Sequence, residues 1–239
     1  MNKHGIFITG TDTGVGKTYV AAGIAQSLRN RGVDVGVMKP VETGCRMRDG
    51  RMIPRDARLL ARASRTSDSL DLVNPYRFGR PLAPSVAAEL EGREIRPGKI
   101  VTAYRQLAGR HQYMIVEGAG GIMVPLRNRY TYLDLAQALK LPVVIVARPA
   151  LGTINHTLLT VAVLKERGLT IRGVVINYAQ DRKPGYAEKS NPSVIRSISG
   201  VEVLGVIRYG SLRFEELLPR LTMPSSHQVK ARYGTGEKP

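Results

Sequence analysis

Residues 10–18 read Gly-Thr-Asp-Thr-Gly-Val-Gly-Lys-Thr, directly behind the apolar run Ile6-Phe7-Ile8. A strand that empties into a glycine-rich loop ending in Lys-Thr has the parts of a phosphate cradle. Backbone N–H groups can line such a loop, the Lys17 ammonium can reach terminal phosphates, and the Thr18 hydroxyl can ligate Mg²⁺. Thr13, Gly14, Val15 and Gly16 form the turn that would face a nucleotide, and small residues at 10, 14 and 16 let backbone approach oxygen closely. The general motif puts four residues between its first glycine and Gly-Lys-Ser/Thr. That first position is Thr11 here, and Gly10 stands one residue too early.

Other residues with chemistry sit where apolar runs end. Lys39 follows Val35-Gly36-Val37-Met38 and opens Lys-Pro-Val-Glu-Thr-Gly, in which Thr43 and Gly44 offer a hydroxyl and free backbone groups. An ammonium at the carboxyl edge of a buried strand can meet an anion, although snorkelling of a strand-end lysine is the ordinary alternative. Met114-Ile115-Val116 ends in Glu117, the arrangement of a metal-binding carboxylate, and Gly118, Ala119 and Gly120 follow. Mg²⁺ takes oxygen ligands, so Thr18 and Glu117 make chemical sense as a pair. Asp56 opens a helical stretch and reads either as a cap or as a further metal carboxylate. Asn177 ends another strand, where its amide could read a purine edge or simply form a turn. His111 and His156 have no metal-ligand spacing.

These residues need a scaffold that gathers strand ends. Short β-branched runs alternate with helical stretches throughout, the pattern of an α/β fold with a mostly parallel sheet flanked by helices on both faces. The spacing predicts strands at Gly5–Thr9, Asp34–Lys39, Tyr113–Glu117, Val143–Ala147, Gly173–Asn177 and Glu202–Ile207. Helices are predicted at Lys17–Asn30, Asp56–Arg65, Gly98–Gly109, Tyr132–Leu139, Thr153–Arg167 and Pro192–Ile198. Right-handed crossovers bring the loops after strands to one sheet edge, so Thr11–Thr18, Pro40–Cys45, Gly118–Arg127 and Pro149–Asn155 should meet at a common crevice.

At 239 residues and 43% apolar composition, a single domain over residues 1–222 is expected, with a mobile tail from Met223 to Pro239. No apolar run reaches the roughly 18–20 residues of a membrane span. No signal peptide is evident, and the single cysteine, Cys45, fits a reducing, cytoplasmic setting. The net charge is +17, with Arg46, Arg48, Arg51, Arg55, Arg58, Arg62 and Arg65 opposed only by Asp49 and Asp56 in that stretch. The stripe could follow a nucleic-acid backbone, but no nucleic-acid-binding motif accompanies it and a solvated helix face is the simpler account.

Taken together the segments resemble the dethiobiotin synthetase family. The resemblance rests on residues 10–18, on Lys39-Pro40-Val41-Glu42-Thr43-Gly44, on Glu117-Gly118-Ala119-Gly120-Gly121 with Val124-Pro125, and on Leu151-Gly152-Thr153-Ile154-Asn155-His156-Thr157-Leu158-Leu159-Thr160. It implies a P-loop NTPase-like fold and an ATP- and Mg²⁺-dependent cyclo-ligase that joins 7,8-diaminononanoate and CO₂. In this reading Lys39 and Lys17 are catalytic cations, and Thr18, Asp56 and Glu117 surround Mg²⁺. Thr11, Lys39, Thr43, Gly152, Thr153 and Asn155 contact substrate, the last three from the partner subunit of a homodimer. Asn177, Arg208, Tyr209 and Gly210 stand at the base. Two positions depart from the family pattern: Arg208 replaces the proline of Gly-x-Ile-Pro, and Tyr178 follows Asn177 where an aspartate is common. Chromosome-partitioning ATP switches share the fold type but carry a signature lysine where this chain has Asp12. Cobyrinate-type amidases need a glutaminase domain with a nucleophilic cysteine, which Cys45 does not match. A non-catalytic ATP-binding paralogue is the remaining alternative.

Overall fold

The computed structural model describes residues 4–222. One sheet contains β1 (His4–Gly10), β2 (Val35–Met38), β3 (Tyr113–Gly121), β4 (Val143–Ala147), β5 (Ile171–Asn177) and β6 (Val203–Ile207). Their spatial order is β6-β5-β4-β1-β3-β2, and every pairing is parallel. The chain steps from β1 out to β2, returns to β3, then crosses to β4 on the far side of β1. Strand order therefore reverses at β1, the place where open α/β sheets bind ligands.

Alternation across the pleat explains the two helical layers. Ile6 and Ile8 of β1 share one core with Val37, Ile115, Val144 and Val146, whereas Phe7 shares the other with Met38, Val116, Val143 and Ile145. The first core is closed by α1 (Lys17–Asn30) and α2 (Arg55–Ser64). The second is closed by α3 (Pro97–Arg110), α4 (Tyr132–Leu139), α5 (Thr153–Glu166) and α6 (Tyr186–Ser199). Val20, Ile24 and Leu28 make the buried stripe of α1 at helical spacing. Burying each such side chain contributes about 1.5–3 kcal/mol, which fixes α1 against β1 and so fixes the loop between them.

The expected strands and helices are present with bounds shifted by a few residues, except for α6. It begins at Tyr186 rather than Pro192, because Glu188 accepts the Gly185 N–H at 3.0 Å and starts the helix there. Pro192 then sits inside, at the cost of one internal hydrogen bond, beside Asn191, whose amide donates to Pro149 O at 2.8 Å. The arginine stripe is not one helix face. Arg46–Arg48 and Arg51–Ile53 form a hairpin ahead of α2, and all seven arginines are exposed. Beyond β6, where alternation fades in the sequence, Phe214, Leu217, Leu218 and Leu221 are buried in the α1 core, carried by a 3₁₀ turn at Glu215–Leu217 and a helix at Leu218–Thr222. The predicted tail, Met223 to Pro239, lies outside the described residues.

Candidate functional site

The phosphate loop turns where its glycines allow it. Gly16 has φ +89° immediately before α1, and a Cβ there would lie 2.1 Å from Asn177 Nδ2, so conformation and space both require glycine. The first turn of α1 holds no acidic residue, leaving its N–H groups and positive dipole end available to an anion. Lys17 folds back over the loop, with Nζ donating to Asp12 O at 2.9 Å. Burial, and next the nearby Lys39, hold its pKa down at about 8.

Lys39 lies at the centre of an ion-pair cluster. Its Nζ is 2.6 Å from Glu117 Oε1, 3.1 Å from Asp56 Oδ2 and 3.3 Å from the Gly118 carbonyl. The lysine is 3% exposed and Glu117 0%. Burial opposes the charge on Lys39, but Glu117 and Asp56 outweigh it and raise its pKa above the ordinary lysine value. Thr18 Oγ1 donates to the same Glu117 oxygen at 2.8 Å. Glu117 thus ties the strand-end lysine to the phosphate loop, while its Oε2 is buried and has no hydrogen-bond partner. A hydroxyl, a half-exposed Asp56 carboxylate and that free Oε2 form an oxygen set that fits Mg²⁺.

Asp56 is released from capping by a residue to which the sequence reading gave no role. The carboxylate of Glu42 accepts the N–H groups of Asp56 at 3.0 Å and Ala57 at 2.9 Å, so it satisfies the start of α2. Burial raises the Glu42 pKa, against the lowering effect of those two bonds. Asn74, also unremarked in the sequence, donates to Lys39 O at 2.6 Å and to Tyr76 O at 3.3 Å, fixing the exit of β2.

A cavity of about 720 Å³ opens over this cluster. Its walls include Thr13, Gly14, Gly16, Lys17 and Thr18, then Lys39, Thr43 and Asp56, then Glu117, Ala119 and Gly120. Pro81, Leu82, Ala83 and Pro84, at the start of the helix Pro84–Leu90, close one side, which the two prolines could have signalled. Val15 is buried beneath the loop, and Gly118 contributes its carbonyl to Lys39.

The loop after β4 does not join this cavity, contrary to the expected four-loop crevice. Thr11 and Asp12 instead line a second cavity of about 310 Å³ with Gly121, Ile122, Met123, His156 and Leu159. Arg148 Nη2 lies 3.0 Å from Asp12 Oδ2 and 3.1 Å from His156 Nδ1, so α5 is tied to the phosphate loop by a residue the sequence reading missed. Gly152, Thr153 and Asn155 line neither cavity: Gly152 and Asn155 are exposed at the start of α5, and Thr153 is 0% exposed. Inside its own subunit this segment does not reach the lysine cluster.

At the other side of the loop, Asn177 Nδ2 donates to Val15 O at 2.9 Å, while its Oδ1 is buried without a partner. Arg208 lies over the ring of Tyr178, and Tyr209 and Gly210 are exposed beside it. Cys45 is buried, and burial pushes its thiol pKa up to about 12, which removes it as a nucleophile.

A family model described as an AAA domain matches residues 4–212. ATP-dependent dethiobiotin synthetase of Thermodesulfovibrio yellowstonii is 44% identical, covering 87% of this chain and 89% of the relative. The protein of that name from Anaeromyxobacter dehalogenans is 51% identical over 72% of this chain and 76% of its own, and that from Methanocaldococcus jannaschii 41% over 85% and 93%. Among solved structures, the septum site-determining protein MinD with Mg-ADP from Pyrococcus horikoshii aligns with a TM-score of 0.56 at 18% identity, covering 91% of this chain and 86% of that one. A ParA family ATPase from Chlorobium tepidum aligns with 0.54 at 16%, covering 92% and 91%. At such identities the structural likeness concerns the fold, that of P-loop ATPases. The sequence relationship is closer, and with its phosphate loop, Lys39 and Glu117 in one cavity the chain belongs to the dethiobiotin synthetase family.

Proposed function

We propose that this protein carboxylates and cyclises 7,8-diaminononanoate with CO₂ at the expense of ATP, giving dethiobiotin, ADP and phosphate. The observation that carries the reading is the fixed cation Lys39, held by Glu117 beside the phosphate loop and lining the cavity of about 720 Å³. One substrate amine adds to CO₂ and loses a proton, forming a carbamate. A carbamate oxygen then attacks the γ-phosphorus, and ADP leaves. The second amine attacks the carbonyl carbon of that mixed anhydride and loses a proton, the C–O bond breaks with its oxygen leaving on phosphate, and the cyclic urea closes.

The substrate supplies both nucleophiles, so the protein's part is to hold two anions together. Lys17 meets the terminal phosphates and Lys39 the carbamate. Thr43 offers a hydroxyl to substrate in the lysine cavity, Thr11 offers one from the second cavity, and Asn177 Oδ1 accepts from the exocyclic amine of adenine. Thr18, Asp56 and Glu117 would hold Mg²⁺, which when bound neutralises charge on the phosphates. Gly152, Thr153 and Asn155 serve the substrate carboxylate of the partner's site in a homodimer, with N–H groups at a helix start suited to it. The exposure of Leu151, Met123 and Leu159 around that helix supports such a face. No helix among the described residues is long and apolar enough to cross a membrane, and the reading includes a cytoplasmic location.

The test is ADP release measured with Mg²⁺ and bicarbonate, with and without the diamine. Turnover should require all three. ATP hydrolysis triggered by DNA or lipid vesicles, with the diamine inert, would overturn the reading.

A further inference from the structure

The two departures from the family pattern, Tyr178 and Arg208, touch each other. The Arg208 guanidinium carbon lies 4.5 Å from the centroid of the Tyr178 ring. Tyr178 is buried and Arg208 exposed, so the guanidinium covers the outer face of the ring and turns its own outer face toward solvent. No described carboxylate pairs with it. Tyr178 N–H donates to Ile207 O at 2.9 Å, and Asn177 stands in register with Ile207. The stacked pair is therefore one residue beyond the paired ends of β5 and β6.

This place adjoins the phosphate loop on two sides. Asn177 on β5 bonds Val15 and packs on Gly16. The segment that carries Arg208 is fastened to the first turn of α1, because Tyr19 OH donates to Ser211 O and Phe214 packs edge-on against Tyr19 at 5.3 Å. Gly23 completes the seat, since a Cβ there would lie 2.3 Å from Phe214. The result is a planar cation beside a buried acceptor, Asn177 Oδ1, at the end of a phosphate cradle. A planar guanidinium stacks on any base, whereas an amide oxygen discriminates by asking for a hydrogen-bond donor.

We infer that Arg208, backed by Tyr178, is a stacking platform for the nucleotide base, so that affinity for the base comes from a contact blind to its identity and selectivity from Asn177. This rests on the nucleotide reading above. It makes two functions separable that a backbone-lined adenine pocket would combine.

The experiment measures calorimetric affinities of ATP, inosine triphosphate and inorganic tripolyphosphate, each with Mg²⁺, for the full chain and for Arg208→Ala and Arg208→Lys. Arg208→Ala should weaken both nucleotides by about tenfold, or about 1.4 kcal/mol. It should leave their ratio and the tripolyphosphate affinity unchanged. Arg208→Lys, which keeps the charge and loses the plane, should resemble the alanine variant. Equal loss for tripolyphosphate, restoration by lysine, or unchanged nucleotide binding would each overturn the platform. If the unaltered protein binds neither ATP nor tripolyphosphate, the nucleotide reading itself fails.

Discussion

Replacing Lys39 by methionine should damage the fold as well as the chemistry, and the two effects can be pulled apart. The substitution keeps most of the side-chain volume and removes the charge that faces Glu117 at 2.6 Å. Glu117 is 0% exposed, and its remaining bond is to Thr18. Leaving one member of a buried pair uncompensated costs about 3–5 kcal/mol. For a domain of this size each kcal/mol is worth about 2–4 °C in Tm, so Lys39→Met should lower Tm by roughly 6–20 °C. Asp56 adds little to that figure because it is 42% exposed and can return to water.

The double variant Lys39→Met/Glu117→Gln removes both charges and keeps an acceptor for Thr18. It should recover most of the stability, giving a coupling energy of about 2 kcal/mol or more in a double-mutant cycle. Urea and thermal denaturation without nucleotide provide the numbers. Turnover should stay absent in the double variant, since the cation proposed to face the carbamate is gone in both. Additivity of the two single changes within about 0.5 kcal/mol would refute the claim that Lys39 and Glu117 stabilise the fold as a pair. Recovered turnover in the double variant would refute the catalytic role.

Three other outcomes are expected. Gly16→Ala must displace Asn177 Nδ2, which a Cβ would approach to 2.1 Å, and strain a residue at φ +89°, so nucleotide binding should be lost in calorimetry while α/β circular dichroism is retained. Asp68 has its pKa held low despite burial by bonds from Thr66, His111 and Arg110, so its contribution is present above the ordinary aspartate value of about 4 and lost as pH falls through the lower folded value. Asp68→Asn should therefore cost about 1–3 kcal/mol in urea melts near neutrality, with the gap to the parent protein closing in acid; a gap that does not change with pH would contradict it. In the proposed homodimer Leu159→Asp, on the exposed face of α5, should shift gel-filtration mass toward a monomer and reduce turnover without altering ATP affinity, and an unchanged mass would overturn the proposal that α5 lies in a subunit interface.

Legibility from sequence followed how local each interaction is. The phosphate loop is contiguous, and its strand-loop-helix context lies within a few residues, so Gly14, Gly16, Lys17 and Thr18 were readable. Lys39 and Glu117 were readable because a parallel sheet sends strand ends to a common edge. Their direct ion pair was not, since it joins residues 78 apart through side-chain directions that no periodicity encodes. Glu42 was passed over because its partners, the N–H groups of Asp56 and Ala57, start a helix fourteen and fifteen residues later. Arg148 was missed because its partner, Asp12, is 136 residues away. The packed segment after Ile207 lacks the strand–helix alternation of the rest, because its apolar residues cover α1 from a 3₁₀ turn and a helix too short to show a period.

The arrangement of positive charge separates this chain from ATP switches that share its fold. In those proteins the sequence reading expects a lysine on the loop, able to reach across to a partner. Here the position is Asp12, neutralised by Arg148 of its own subunit. The second cation of the site comes instead from Lys39 at a strand end, clamped by Glu117 and Asp56 and buried under the Asn74 bond to its carbonyl. Lys39 is held by three contacts, to Glu117, Asp56 and the Gly118 carbonyl. It presents a fixed charge beside the phosphate loop, which suits the proposed joining of a carbamate to a polyphosphate.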